Sequence, residues 1–494
     1  MKHPLLHGLL ALALISIPGA PRAHSADPAE RPLAAGPDPR EIPLPEIKTA
    51  LDKLPGAAAL PVRRELPDVL TMNDGTKVTT VAQWQKRRHE MLRTLEYYSV
   101  GLAPPPPGNV SGREVKTQLV AGGRIRYRLV HLTFGPGKKL GLNIGIFTPV
   151  TGGPFPTVIA QAGTPPGATP LPRLPNGPTQ GKGVNVLLVV GGANPDTASA
   201  TPPSATNAAA GGDPRLATAP AARGGRGGPP DAETIATTNP ALARGYAYVM
   251  FNNNDCGEDT TLREADGSWS FRRTRFFPAY PGYDWGLLRA WAWGVSRVAD
   301  YLETDAAIDR TQLIVTGVSR TGKSALVAAA FDERLMGAPV VTGGGGVGAY
   351  RFAGPRNSET LDIMERKYPN WWSPHLREFW GYREKLPFDQ HWFLALCAPR
   401  PFIALEGDAD VISYPEAVRQ SILGARPAYQ LFGAADRLGV NYAPHAHAFT
   451  ADDWTALLDF ADHHLLGKKS ARRFDRFPTE AELDAALARS RPKS

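Results

Sequence analysis

The sequence predicts an α/β fold: a doubly wound, mostly parallel sheet with helices on both faces. Three observations predict it. Short apolar runs at 157–160, 184–190, 246–251, 313–316, 338–341 and 402–405 are bounded by Gly, Asn and Asp, as strands buried on both faces are. Between them, Trp285, Leu288, Ala292, Val295, Ala299 and Leu302 fall on one helical face, and Trp454, Leu457, Leu458, Ala461 and Leu465 on another. Strand alternating with helix requires crossover connections, and these build a parallel sheet.

The elements follow in order. A helix is expected over Val81–Tyr98, ending before the four prolines Pro104–Pro107. Alternating stretches at 115–120, 125–134 and 140–147 read as antiparallel strands leading into the sheet. The helices at 284–303 and 450–466 come later, the second with Thr450 and Asp453 placed to cap it. A further strand is expected at 429–432. The 494 residues, 42% of them hydrophobic, would allow two to four domains, and one decorated domain also fits. We assign 26–63 to a Pro/Ala-rich arm, 64–468 to the catalytic domain, 195–230 to a low-complexity surface insertion and 469–494 to a basic tail.

The amino terminus places Met1-Lys2-His3 before an apolar run from Leu9 to Ile17, with small residues at Ala23, Ser25 and Ala26. That is the order of a secretory signal over 1–25, so a periplasmic or secreted protein is expected. No later segment approaches ~20 uninterrupted apolar residues, so no membrane span is expected. The net charge of +8 arises from 55 basic and 47 acidic residues spread along the chain, which gives no nucleic-acid signature. The run Arg223–Gly228 is set aside as an RNA element on the same export argument. Cys256 and Cys397 are either a disulfide, which export permits, or two buried thiols. No Cys/His cluster has metal-ligand spacing, and no metal or cofactor is called for.

The most informative stretch is Leu313 to Ala328, a strand running through a Gly-containing turn into a helix. One reading makes Gly317-Val-Ser319-Arg-Thr-Gly322 a nucleophile elbow that lifts Ser319 above the sheet. Thr321 then stands where a glycine is usual. The other reading takes Gly317 to Ser324 as G-x-x-x-x-G-K-S, a phosphate-cradling P-loop with Lys323 on the outer phosphates and Ser324 on magnesium. The local string favours the P-loop. Its wider setting favours the elbow: the chain carries an export signal, and the motif follows several strands of the same sheet. Acid and histidine partners then follow in the order of an α/β-hydrolase. Asp408 and Asp410 come after the run at 402–405, and His445 and His447 precede the last helix. Either aspartate could orient the imidazole, and either histidine could take the serine proton; Asp410 and His447 are preferred.

In these residues the chain resembles the glucuronoyl esterases of carbohydrate esterase family 15. The resemblance runs from about Trp84 to Leu466. It rests on Tyr283-Asp-Trp-Gly286, Ala290-Trp-Ala-Trp-Gly294, the string at 317–323, Leu386-Pro-Phe-Asp-Gln-His391 and Ala398-Pro-Arg-Pro401. It implies that Arg320 helps hold the oxyanion and that Lys323 and Glu359 contact sugar hydroxyls. Many members carry the triad acid at the position of Thr342, while others place it after the later strand, as Asp410 is placed. A tryptophan expected two residues past the acid is Ile412 here, leaving Trp371 and Trp372 to form a sugar wall; Asp389 and His391 either line the pocket as well or form a buried structural pair. The expected reaction is hydrolysis of an ester of (4-O-methyl)glucuronic acid through an acyl-enzyme. The partner would be a glucuronate-bearing polysaccharide or a lignin–carbohydrate ester, and the chain would act as a monomer. An acetyl or methyl esterase is the alternative within the same class.

Overall fold

A computed structural model describes residues 51–170, 230–259, 261–263, 269–271, 273–354 and 359–490. The signal segment, most of the arm, the expected strand at 184–190 and the insertion up to 229 lie outside the described residues. Helix α1 (Val81–Tyr98) opens the domain. Its Thr80 and Gln83 form a reciprocal capping box, which satisfies backbone donors that the first turn leaves free. Strands β1 (Ser111–Val120), β2 (Ile125–Phe134) and β3 (Leu140–Pro149) then form an antiparallel meander. Next come β4 (Phe155–Ala160), the short helices α2 (Ala232–Thr238) and α3 (Pro240–Ala243), and β5 (Ala247–Phe251). A two-stranded ribbon, β6 (Thr261–Arg263) with β7 (Trp269–Phe271), precedes α4 (Leu287–Leu302) and β8 (Ile308–Val318). The chain continues through α5 (Arg320–Phe331), β9 (Leu335–Val340), α6 (Leu361–Lys367), α7 (His391–Leu396) and β10 (Phe402–Gly407). It closes with α8 (Pro415–Leu431), β11 (Leu438–Ala443), α9 (Ala451–Leu466) and α10 (Glu480–Ser490).

Among the described residues the main sheet has nine strands in the order β1-β2-β3-β5-β4-β8-β9-β10-β11. From β5 to β11 all neighbours are parallel, and β3 joins β5 antiparallel. The carboxyl ends of β8 and β10 therefore open on one edge of the sheet, where ligands of such sheets bind. Both faces are covered: one core cluster holds α4 and α5 residues such as Trp291 and Leu326, the other α9 residues such as Leu457 and Phe460.

The expected strand at 429–432 is instead the end of α8, which carries Pro427 in its interior. The true strand, β11, begins six residues after 432. Tyr429 faces the core from the helix, so its apolar signal was real and its period was misread. Cys256 and Cys397 are both buried free thiols, which settles that alternative. The basic tail carries α10, whose Arg489 pairs with Asp408 at 2.9 Å. No helix among the described residues is long and apolar enough to cross a membrane.

Candidate active site

Ser319 sits between β8 and α5 with φ 55° and ψ −119°, a left-handed backbone that a side chain rarely adopts. The strain is held by its surroundings. The Ser319 N–H donates to Val340 O (2.9 Å), and the Thr321 hydroxyl bonds both Val318 N and Val318 O at 2.9 Å. Thr321 thus closes the turn from the position where glycine is usual. A Cβ on Gly317 would stand 2.5 Å from Thr321 O, and one on Gly322 would stand 2.8 Å from Gly317 O, so both glycines permit the close strand–helix approach. Such a sharp strand-to-helix turn presents the serine at the sheet edge.

At the end of β10 the chain turns through Asp408 and Asp410. Asp410, with a fully buried side chain, meets His447 Nδ1 through Oδ2 at 2.9 Å, while its Oδ1 accepts the Ile412 N–H at 3.0 Å. Asp408 turns away to Arg489. His445 meets Asp453, at the start of α9, at 3.0 Å, and its Nδ1 lies 2.7 Å from Ala446 O. Burial works against the His445 charge, but Asp453 and the Ala446 carbonyl outweigh it and raise its pKa. The two His–Asp pairs are therefore distinct. A Cβ on Gly407 would lie 2.4 Å from His445 O, so the histidine loop can cross the end of β10 only over a glycine.

Arg320 opens α5 with a half-exposed guanidinium that pairs with Asp259 and lies 5.5 Å from the Trp371 ring and 5.8 Å from that of Tyr368. The other carboxylate oxygen of Asp259 accepts the Trp371 indole N–H at 2.8 Å. Lys323, one turn along the helix, is 1% exposed and donates to Thr342 O and to Glu359 Oε2, the latter at 2.8 Å. An ammonium has three donors, so one remains after these two. Glu359 is itself anchored by its N–H to Ile412 O (3.2 Å), which ties it to the turn that carries Asp410.

Trp371 and Trp372 are each only 2% exposed, which corrects their expected role as a sugar wall. Tyr368 stacks on Trp371 at 4.0 Å and 10°, and remains half-buried where the indole is covered. Trp371 therefore acts from beneath, holding Asp259 and backing Tyr368. His391 is also corrected: it is fully buried, its Nε2 lies 2.7 Å from Pro67 O, and its ring packs against Gly424 of α8. Burial pushes its pKa down to about 4, and it pins the segment before α1 to the core. Asp389 likewise turns inward, accepting Tyr350 N at 2.7 Å and pairing with Arg351 at 2.9 Å.

The phosphate-loop reading fails on the same geometry. Val318 N and Ser319 N are already bonded within the protein, Lys323 is turned into the interior, and Ser324 is fully buried in α5. The amides of Val318 and Ser319 are therefore not available to a phosphate.

Residues 220–433 match the family model described as glucuronyl esterase, fungi. A carbohydrate esterase from an unknown prokaryotic organism is 26% identical over 421 residues, 81% of this chain and 90% of the relative. A 4-O-methyl-glucuronoyl methylesterase from Hypocrea jecorina is 26% identical over 428 residues, 84% of this chain and 73% of the relative. Among solved structures, the family 15 glucuronoyl esterase from Caldicellulosiruptor kristjansonii is 28% identical, with a TM-score of 0.59 over 86% of this chain and 98% of that one. The chain is similar to the glucuronoyl esterases of carbohydrate esterase family 15. It has their α/β-hydrolase fold.

Within this α/β-hydrolase fold, the tryptophan-bearing strings before the elbow are scaffolding. The Trp291 indole N–H donates to Gly257 O (2.8 Å), fixing the loop that presents Asp259. Leu287 N bonds Asn370 O (2.9 Å), fixing the segment that carries Trp371. Asp259 had no sequence signal of its own. Glu258-Asp259 reads as a pair of loop carboxylates, and only the fold brings Asp259 to Arg320 and Glu258 to Arg275.

Proposed function

We propose that this esterase hydrolyses esters of glucuronic acid, including the 4-O-methyl form, through an acyl-enzyme on Ser319. The observation that carries the reading is the Asp410–His447 bond at the end of β10, on the same sheet edge as the β8 elbow that carries Ser319 and one strand away from it. Asp410 fixes the His447 tautomer, leaving Nε2 to take the serine proton. Ser319 Oγ attacks the ester carbonyl. The C–O bond to the alcohol breaks, and His447 returns the proton to the leaving oxygen. Water, deprotonated by the same imidazole, then attacks the acyl-enzyme and releases the uronic acid. Arg320 and the amides of the elbow and of the loop after β4 stabilise the oxyanion. Lys323 and Glu359 hold ring hydroxyls. The substrate would be a glucuronate-bearing plant polysaccharide or its ester with a lignin alcohol. The amino-terminal segment supports export to the periplasm or beyond, where such material is met.

The test compares benzyl glucuronate, methyl glucuronate and an aryl acetate with wild type and Ser319→Ala. Turnover of both glucuronate esters by wild type, lost in a folded Ser319→Ala protein, supports the proposal. Cleavage of the acetate alone would make the chain an acetyl esterase, and near wild-type turnover by the variant would remove Ser319 from the mechanism.

A further inference from the structure

At the sheet edge opposite the catalytic loop, Asp436, His463 and His464 each present one ligand atom, and these atoms lie within 4.8 Å of one another. Asp436 is in the turn at 435–437 that leads into β11, and the two histidines form the last turn of α9. His447 follows the far end of β11 and α9 runs back along about 24 Å, so the cluster is separate from the site described above.

Its chemistry is that of a metal centre. His463 Nδ1 lies 2.9 Å from Lys468 O, an acceptor that requires the proton on Nδ1 and leaves the Nε2 lone pair outward. A backbone carbonyl behind the ring is how proteins orient a metal-binding imidazole. The backbone of Asp436 lies within hydrogen-bonding reach of the His464 ring, which packs edge-on against Phe460 at 4.4 Å. The three residues line one surface groove of about 470 Å³. Arg426 also lines the groove, and three further arginines near it are directed elsewhere. Arg437 bonds Pro399 O, Arg472 reaches Asn441 and Asp459, and Arg473 pairs with Asp475.

We infer that Asp436, His463 and His464 bind a divalent transition metal of the zinc class, tying the end of α9 to the start of β11. Two imidazoles and one carboxylate suit zinc, with water completing a tetrahedron. Ligand atoms around such an ion stand roughly 3.3 Å apart for bonds of about 2.0–2.1 Å. The exposed Asp436 and His463 close that gap by side-chain rotation. The role is structural, since neither end of the link touches Ser319, Asp410 or His447.

The test uses tag-free protein stripped with EDTA and titrated with zinc chloride by calorimetry, with melting followed in parallel. One equivalent should bind and raise the Tm. Asp436→Asn, His463→Ala and His464→Ala should each weaken binding at least about tenfold, and the triple variant should abolish the Tm rise. His89→Ala, an exposed histidine on α1, should change neither. Esterase turnover should be unaltered by the bound equivalent. Binding that survives in the triple variant and inhibits turnover would place the ion at the catalytic histidine and overturn the inference. So would a failure of wild type to bind zinc, or a Tm that responds to sulfate in place of zinc, which would make the groove an anion site.

Discussion

Asp259 grips Arg320 from 61 residues upstream, and the same carboxylate accepts the Trp371 indole N–H at 2.8 Å. The arginine is half exposed and has two aromatic rings nearby, and among the described residues no other carboxylate is paired with it, so its direction depends on Asp259. Asp259→Asn keeps the shape and the indole contact but loses the charge. It should lower kcat for a glucuronate ester by about 10- to 100-fold, the scale of a misplaced catalytic group. Arg320→Ala should cost more, on the order of 10²- to 10³-fold. The double variant should be no worse than Arg320→Ala alone, because Asp259 acts through the arginine. Additive losses would show that Asp259 acts independently.

The two aspartates after β10 separate by their partners. Asp410→Asn should cut kcat by roughly 10²- to 10⁴-fold, because His447 loses the carboxylate that fixes its tautomer. Asp408→Asn breaks only a contact with Arg489 on the protein surface, where exposed pairs contribute about 0–1 kcal/mol, and kcat should stay within threefold of wild type. Steady-state kinetics on benzyl glucuronate reads both.

How much of this was legible follows from what each residue type advertises. Helices α1, α4 and α9 carry strong periodicity and caps, and their expected spans agree with the structure to within a few residues. The end of α8 was misread because Pro427 followed by an apolar run imitates the start of a strand. Ser319, Asp408/Asp410 and His445/His447 were legible as a set from chain order, yet nothing local distinguished one member of each pair. That distinction lives in the turn: Asp410 points inward to His447, Asp408 outward to α10, and His445 to the α9 cap. Trp371 and Trp372 read as pocket groups, and His391 as either a pocket or a buried group, because aromatic and imidazole side chains serve equally in pockets and cores. Their burial is decided by long-range packing.

Glu406, at the end of β10, supplies a pH-dependent element of stability. It is fully buried and bonded to Ser413 Oγ at 2.8 Å. Burial raises its pKa to about 8; the Ser413 bond opposes that rise, Asp410 and Asp453 add to it, and Lys323 opposes it. The folded protein therefore binds a proton that the unfolded chain releases near pH 4.3–4.5, so stability falls as pH rises from there through about 8. Glu365 shifts in the same direction through its own burial, so wild type alone does not isolate the effect. Glu406→Gln should lose less Tm than wild type between pH 6 and 9 and should melt higher at pH 9. Parallel Tm profiles for the two proteins would show that Glu406 carries no proton linkage.

The last prediction separates uronate recognition from general ester hydrolysis. Lys323 spends two of its donors on Thr342 O and Glu359, and the third is left for a substrate hydroxyl one helical turn beyond Ser319. Removing the lysine alone would leave Glu359 without its buried partner, at a cost of about 3–5 kcal/mol in folding. A stability loss of that size would obscure the kinetics. Lys323→Met combined with Glu359→Gln removes both charges together and keeps the volume. If this pair holds ring hydroxyls, kcat/KM for benzyl glucuronate should fall roughly 10- to 150-fold, the equivalent of ~1.5–3 kcal/mol for a charged hydrogen bond. An aryl acetate lacks those hydroxyls, so its cleavage should change less than threefold, with Tm confirming that the fold is kept. Arg320→Ala should damage both substrates alike, since it acts where the oxyanion forms. Equal losses on both substrates in the double variant would assign Lys323 and Glu359 to the general machinery and leave the sugar to be held by other groups.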